Sequence, residues 1–322
     1  MIKLIYVNDF LLTGKRVGDM IKMSLKFLWI FDGRKFLFFG WECYLYKLKM
    51  PGRNVIQVLD FSGSFSGEAE LFPKKVHDEF SFAVTDFSDL DGTMCFCSEE
   101  SAAGIRLRMN DGMFMVDAGG IHWIDTGDYH YLTYFYLEKL AGPFTLVLMD
   151  HHPDDQPSVF GGDLLSCGGW VLEAMEHLTL MRRVVTIGPD GYIMVRERIS
   201  SGKAPWRIVR KVDLYGVDGE EDLAAAEVVI SETVPVGERV YLSLDKDVLS
   251  MDFSRTNWSQ GGMSLSGMLR LLQLLKGRVL LGADICGGLT VAKGATGEDF
   301  AVNARTDAAL LEALAPLVCG KG

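Results

Sequence analysis

Val147-Leu-Met-Asp-His-His-Pro-Asp154 is the stretch whose reading decides the fold. An apolar run from Phe144 to Met149 leads straight into Asp150, His152 and Asp154. A short, unbroken apolar run marks a strand buried on both faces, as in a parallel sheet. Alternate residues of an extended chain point the same way, so two carboxylates and an imidazole can face one point. In open α/β sheets that point, past the carboxyl ends of the strands, is where ligands bind. Mixed oxygen and nitrogen donors suit divalent ions such as manganese or zinc. Taken alone, the D-x-H-x-D spacing fits a solvated loop as well as a metal site.

Two flanking stretches shift that balance. Upstream, an apolar strand at 120–126 runs into Gly127-Asp-Tyr-His130 and then an amphipathic helix at 131–140. His130 therefore stands where a strand turns into a helix, a place where a lone histidine is more often structural. Downstream, Tyr241-Leu-Ser-Leu-Asp-Lys-Asp247 again ends a strand in alternate carboxylates, Asp245 and Asp247. Neighbouring carboxylates at a buried strand end are costly unless a cation or proton neutralises them. On an edge strand they would be a solvated loop. Together the three stretches hold His130, Asp150, His152, Asp154, Asp245 and Asp247. Four carboxylates and two imidazoles exceed the needs of one ion and suit two divalent ions bridged by carboxylates and a hydroxide. His122, inside a strand, is assigned to the core, and His77 and His177 to the surface.

The rest of the chain agrees with an α/β domain. It has 322 residues, 48% hydrophobic and 23% charged, which is ordinary globular composition. Strands are expected at 55–61, 93–97, 120–126, 144–150, 183–187, 206–212, 239–244 and 278–285. Helices are expected at 131–140, 170–178, 264–275 and 301–317. Such alternation implies βαβ units and a mostly parallel sheet. Glycine pairs at 161–162, 168–169, 261–262 and 287–288 follow strands and read as loops at the functional edge, but none fits a dinucleotide or phosphate-binding fingerprint. The net charge of −11 argues against nucleic acid as a partner. No apolar run reaches membrane-spanning length; residues 27–39 come closest and are broken by Asp32-Gly-Arg-Lys35. The six cysteines show no paired CxxC and read as free thiols in a reducing cytoplasm.

Residues 1–49 stand apart. Nine basic and four acidic side chains make them net +5, leaving −16 for the remainder. The segment is aromatic and shows no clean helix or strand period. It is either a membrane-surface or partner-binding arm or, as preferred here, an upstream extension with the natural start at Met50. The catalytic domain is then 50–322.

The three motifs resemble those of the ureohydrolases, the family of arginase, agmatinase and formimidoylglutamase. That family carries G-G-D-H-S, D-A-H-x-D and S-x-D-x-D-x-x-D-P. This chain carries Gly127-Asp-Tyr-His-Tyr131, Asp150-His-His-Pro-Asp154 and Ser243-Leu-Asp-Lys-Asp-Val-Leu-Ser-Met-Asp252 in the same order. The resemblance covers about residues 54–317. It implies a three-layer α/β/α domain with an eight-stranded parallel sheet, and two manganese ions held by the six residues named above. The chain departs from the family at three places. Asp128-Tyr129 stands where the family has Gly-Asp. Cys167 falls where a catalytic-loop histidine is expected. Gly287 falls where a glutamate at the end of the last strand binds the substrate's guanidinium.

The expected chemistry follows. Two ions lower the pKa of a bridging water, and the hydroxide attacks a trigonal carbon bonded to nitrogen. Asp154 holds the hydroxide and passes its proton to the leaving amine, as the resemblance implies. Cys167 could shuttle a proton only with a lowered thiol pKa. Asp284 is a candidate support for the ligands. The substrate is a small linear molecule with a non-peptide C–N bond: an amidine, guanidine or amide. A deacetylase of the same fold and a non-catalytic metal-binding relative are the alternatives. Association between copies is left open.

Overall fold

The structure, a computed structural model, describes residues 55–110, 118–157, 164–199, 205–215 and 222–318, with the backbone of three earlier strands. Those three, β1 (Leu11–Val17), β2 (Met20–Phe31) and β3 (Arg34–Tyr46), pair antiparallel as a separate sheet. That stretch shows no strand period in its sequence. Its side chains and the boundary at Met50 lie outside the described residues.

From Val55 the elements run β4 (Val55–Asp60), α1 (Ser64–Ala69), α2 (Lys74–Glu79), β5 (Ser81–Asp86), β6 (Phe96–Cys97), α3 (Glu99–Asn110), β7 (Ile121–Ile124), α4 (Leu132–Leu137) and β8 (Phe144–Met149). There follow β9 (Leu165–Ser166), α5 (Trp170–His177), β10 (Met181–Ile187), β11 (Tyr192–Arg198), β12 (Trp206–Asp213), α6 (Leu223–Thr233), β13 (Arg239–Asp245), α7 (Leu265–Leu274), β14 (Val279–Cys286) and α8 (Gly297–Val318).

The main sheet has nine strands in the order β12-β11-β10-β8-β13-β14-β7-β4-β5. The seven from β10 to β5 are parallel, while β11 and β12 extend one edge antiparallel. The sheet thus has nine strands rather than eight, and it is mixed. The strand expected at 93–97 shrinks to β6, which pairs with β9 in a small side sheet. Strands β5 and β11 and helices α1, α2, α3 and α6 are further elements that the periodicity did not mark.

Apolar residues separate onto two faces. Val147 and Met149 of β8 join a core with Val240, Leu242 and Leu244 of β13, Leu271 of α7 and Leu311 of α8. Leu146 and Leu148, one step along the same strand, join the opposite core with Ile105 of α3, Phe135 of α4 and Trp170 of α5. This makes helix, sheet and helix layers, and it explains why β8 is apolar at every position. Burial on both sides leaves few polar residues within these strands, and β7, β8 and β13 deliver their acidic and imidazole groups to one edge at or past the strand ends. His122 of β7 is fully buried and stacks on Tyr136, as a core histidine should.

Candidate metal centre

Each predicted ligand follows its strand by a short local device. Strand β7 passes into a single 3₁₀ turn, Gly127–Tyr129, and His130 follows immediately. Asp150 is the first residue beyond β8. Asp245 ends β13, and its carboxylate caps the next turn by accepting from the Asp247 amide at 2.9 Å. Asp154 adopts a left-handed backbone (φ 48°). The Trp170 indole donates to its Oδ2 at 2.7 Å, which ties the ligand loop to the start of α5.

The six side chains converge. His130 Nδ1 lies 3.0 Å from Asp154 Oδ2, 3.2 Å from Asp150 Oδ2 and 3.4 Å from Asp245 Oδ2. His152 Nδ1 lies 2.9 Å from Asp247 Oδ2 and 3.6 Å from Asp150 Oδ1. Donor atoms of His130, Asp150 and Asp154 form one group within 4.8 Å of one another, and those of Asp150, His152 and Asp247 form a second. Asp150 belongs to both, one oxygen toward each histidine, as a bridging carboxylate between two ions would. His130 and Asp245 also group with the buried Cys286 thiol.

Hydrogen bonding fixes the tautomer of His130. Ser243 Oγ donates to Asp284 Oδ1 at 2.7 Å, so it accepts from His130 Nε2 at 2.9 Å. A neutral His130 then aims the lone pair of Nδ1 at three carboxylate oxygens, which is repulsive unless a cation lies between them. His152 Nε2 lies 2.9 Å from Ser259 Oγ, which anchors the ring at its outer nitrogen. The donor set, four buried carboxylates and two oriented imidazoles, fits two divalent ions. Asp284 reaches His130 through Ser243, one hydrogen bond removed from the candidate ligands.

Without an ion, protons must do the neutralising. Burial depresses the His130 imidazolium, but its hydrogen bonds to Asp150 and Asp154 outweigh this and hold it well above the ordinary range. Hydrogen bonds to Asp150 and Asp247 raise His152 to about 11. Burial and the charge of Asp150 raise Asp154 to about 7. A divalent ion would replace these protons, so metal uptake is expected to release protons and to strengthen with pH.

These residues line a cleft of about 230 Å³ whose walls include Pro153, Gln156, Cys167, Gly168 and Trp258. Burial pushes the Cys167 thiol up rather than down, with the charges of Asp154 and Asp128 adding to the effect. It is therefore protonated over the neutral range. Asp128, one of the departures from the family motif, is buried and holds Trp258 in place: its Oδ1 accepts from Asn257 and the Trp258 indole, and its Oδ2 from Lys293 at 2.7 Å. At Gly287 the backbone has φ 95°, and a Cβ would stand 2.6 Å from Asp245 Oδ1. The amides of Gly287 and Gly288 both donate to the Asp125 carbonyl, which pins this turn to the end of β7. No side chain fits there without moving a ligand. Sequence reasoning missed Trp170, Ser259 and Trp258. Trp170 could have been suspected as a donor at a helix start, but nothing local marks the other two.

Comparison with known proteins gives three findings. The family model described as "Arginase family" matches residues 65–287. An uncharacterised protein of Thermotoga maritima is 31% identical over 232 residues, which is 72% of this chain and 79% of that protein. Among solved structures, a hypothetical agmatinase from Burkholderia thailandensis superposes with a TM-score of 0.54 at 20% identity, covering 83% of this chain and 86% of its own. Proclavaminate amidino hydrolase from Streptomyces clavuligerus does so with a TM-score of 0.53 at 15% identity, covering 84% and 93%.

Proposed function

The chain belongs to the arginase family, and from this we propose that it is a binuclear-metal hydrolase of a small, linear, non-peptide C–N bond, working with manganese. The observation that carries the reading is the pair of ligand groups that share Asp150. When bound, the ions would supply hydroxide at neutral pH and positive charge for a developing oxyanion. His130, Asp150 and Asp154 would hold one ion and Asp150, His152 and Asp247 the other, with Asp245 beside His130. Asp154, fixed by the Trp170 indole, takes up a proton at its carboxylate and delivers it to the leaving amine. Ser243 and Ser259 keep the imidazole donors turned inward.

The substrate end of the cleft departs from a guanidinium site. A guanidinium is best held by a planar bidentate carboxylate. The turn at Gly287 admits none, and Trp258, Pro153 and Gly168 offer a neutral wall. A neutral amide is the favoured substrate class, and the cationic arginine and agmatine should turn over poorly. The same two departures, Gly287 and Cys167, favour as a second reading a metal-binding relative without turnover.

Elemental analysis after manganese loading, joined to a panel of amides, amidines and guanidines, tests both readings. Two ions with turnover of a neutral substrate is the expected result. Two ions without any turnover favours the second reading. One zinc ion with deacetylation points to the deacetylase chemistry. Urea release from arginine or agmatine at about 1 to 1,000 per second would overturn the assignment of the Gly287 turn.

A further inference from the structure

Between the ligands Asp245 and Asp247 the chain places a lysine whose side chain is fully buried, turned away from the cleft. Lys246 Nζ lies 2.9 Å from Asp307 Oδ2 of α8 and 3.3 Å from Glu68 Oε2 of α1, and both carboxylates are also fully buried. The contacts continue beyond this cluster. Asn303 Nδ2 donates to Glu68 Oε1 at 3.1 Å and to the Arg255 carbonyl at 2.8 Å. The Arg255 amide donates back to Asn303 Oδ1 at 2.8 Å. Ser254 Oγ donates to the Lys246 carbonyl at 2.6 Å. One hub thus grips the turn carrying two ligands and the loop carrying Ser259, which orients a third.

Stability alone is a poor account of such a cluster. Three ionisable groups are taken out of water, and Asp307 Oδ1 has no hydrogen-bond partner among the described residues. Buried ion pairs commonly give no more stability than apolar residues of the same volume. Here the charges sit directly behind the ligand turn. The turn is then fixed at two points, Lys246 Nζ and the Lys246 carbonyl.

We propose that Lys246, Glu68 and Asp307 are positioning residues which set the geometry of Asp245 and Asp247 and, through Asn303 and Arg255, of His152. The inference rests on the metal reading of the site, and its test separates the two. Manganese alone is titrated into the wild-type chain and into Lys246→Met/Glu68→Gln/Asp307→Asn, which removes the charges together and leaves none uncompensated. Thermal unfolding of the metal-free proteins is followed alongside. The expected result is a folded variant with a midpoint near wild type and a manganese affinity about 10- to 100-fold weaker. A purely structural cluster would move the midpoint and leave the affinity unchanged, and that outcome overturns the proposal. If the triple variant does not fold, Glu68→Gln, which keeps the Lys246–Asp307 contact, decides: weakened affinity supports positioning, unchanged affinity overturns it. If the wild-type chain takes up no manganese, the metal reading falls and the inference with it. If wild type and variant bind two ions equally well, only the inference falls.

Discussion

Gly287 shows how one residue can close a chemistry. Its positive φ is a conformation that costs an L residue about 1–2 kcal/mol, and its missing Cβ leaves room for Asp245 Oδ1. Gly287→Ala should therefore lower stability by about 2–4 kcal/mol, adding a steric shift to that backbone cost. It should also weaken manganese binding, because the nearest atom to yield belongs to a ligand. Calorimetry with and without metal reads both effects, and an alanine variant with wild-type affinity would mean that Asp245 is not held against this turn. Asp60 offers a test away from the ligands. Burial and the charge of Asp125 raise its carboxyl from 3.8 to about 6. The folded chain thus binds this proton more tightly than the unfolded chain. The group's favourable contribution is complete below about pH 4 and is lost as pH rises through about 6. Asp60→Asn should consequently raise stability at pH 7.5 by about 1 kcal/mol, the shift being discounted because the group is partly exposed, and should change nothing near pH 4. Equal effects at both pH values would contradict the raised carboxyl.

Among the elements, the start of α5 matters most to the site. Its first residue, Trp170, is fully buried, donates to Asp154 Oδ2 and packs its ring 5.1 Å from that of His130. The Val171 amide donates to the Asp154 carbonyl at 2.9 Å, so the helix holds this ligand by backbone and side chain together. Trp170→Phe keeps most of the apolar contact and deletes the indole donor. Hydrogen bonds to charged groups contribute about 1.5–3 kcal/mol, so metal affinity or turnover should fall about 10- to 100-fold while the fold is retained. A variant that binds and turns over as wild type would show that Asp154 is positioned by the backbone alone.

At the scale of the whole molecule, the main sheet begins at β4, and strands β1 to β3 pair with one another rather than with it. We propose that residues 1–49 are dispensable for the fold. A chain beginning at Met50 should unfold within a few degrees of the full chain and bind the same number of ions. Aggregation, or a midpoint many degrees lower, would place the segment in the core. The sheet also shows why the ligands lie far apart in sequence. Strand β13 sits between β8 and β14, and β7 lies beyond β14, so parallel crossovers return 115 residues of chain, from His130 to Asp245, to one edge.

Local sequence determined the parts of this protein that depend on local geometry. The unbroken apolar runs marked β8 and β13 as doubly buried strands and placed Asp150 and Asp245 at their ends. His152, Asp154 and Asp247 lie past the strands and are aimed by turns, Asp154 through a left-handed backbone and Asp247 through a 3₁₀ turn, rather than by alternation. What failed to show locally has local causes too. Strand β5 is half exposed and carries little apolar signal, and β11 follows β10 through a turn at Gly188–Gly191 that hides the second strand. The tertiary structure alone decided the rest. It set Trp170 against Asp154, Ser243 between His130 and Asp284, Lys246 between two helices, and Gly287 against a ligand oxygen. Each of these contacts joins residues from separate elements. Their separation in space follows from strand order and helix packing, which no repeat of two or 3.6 residues encodes.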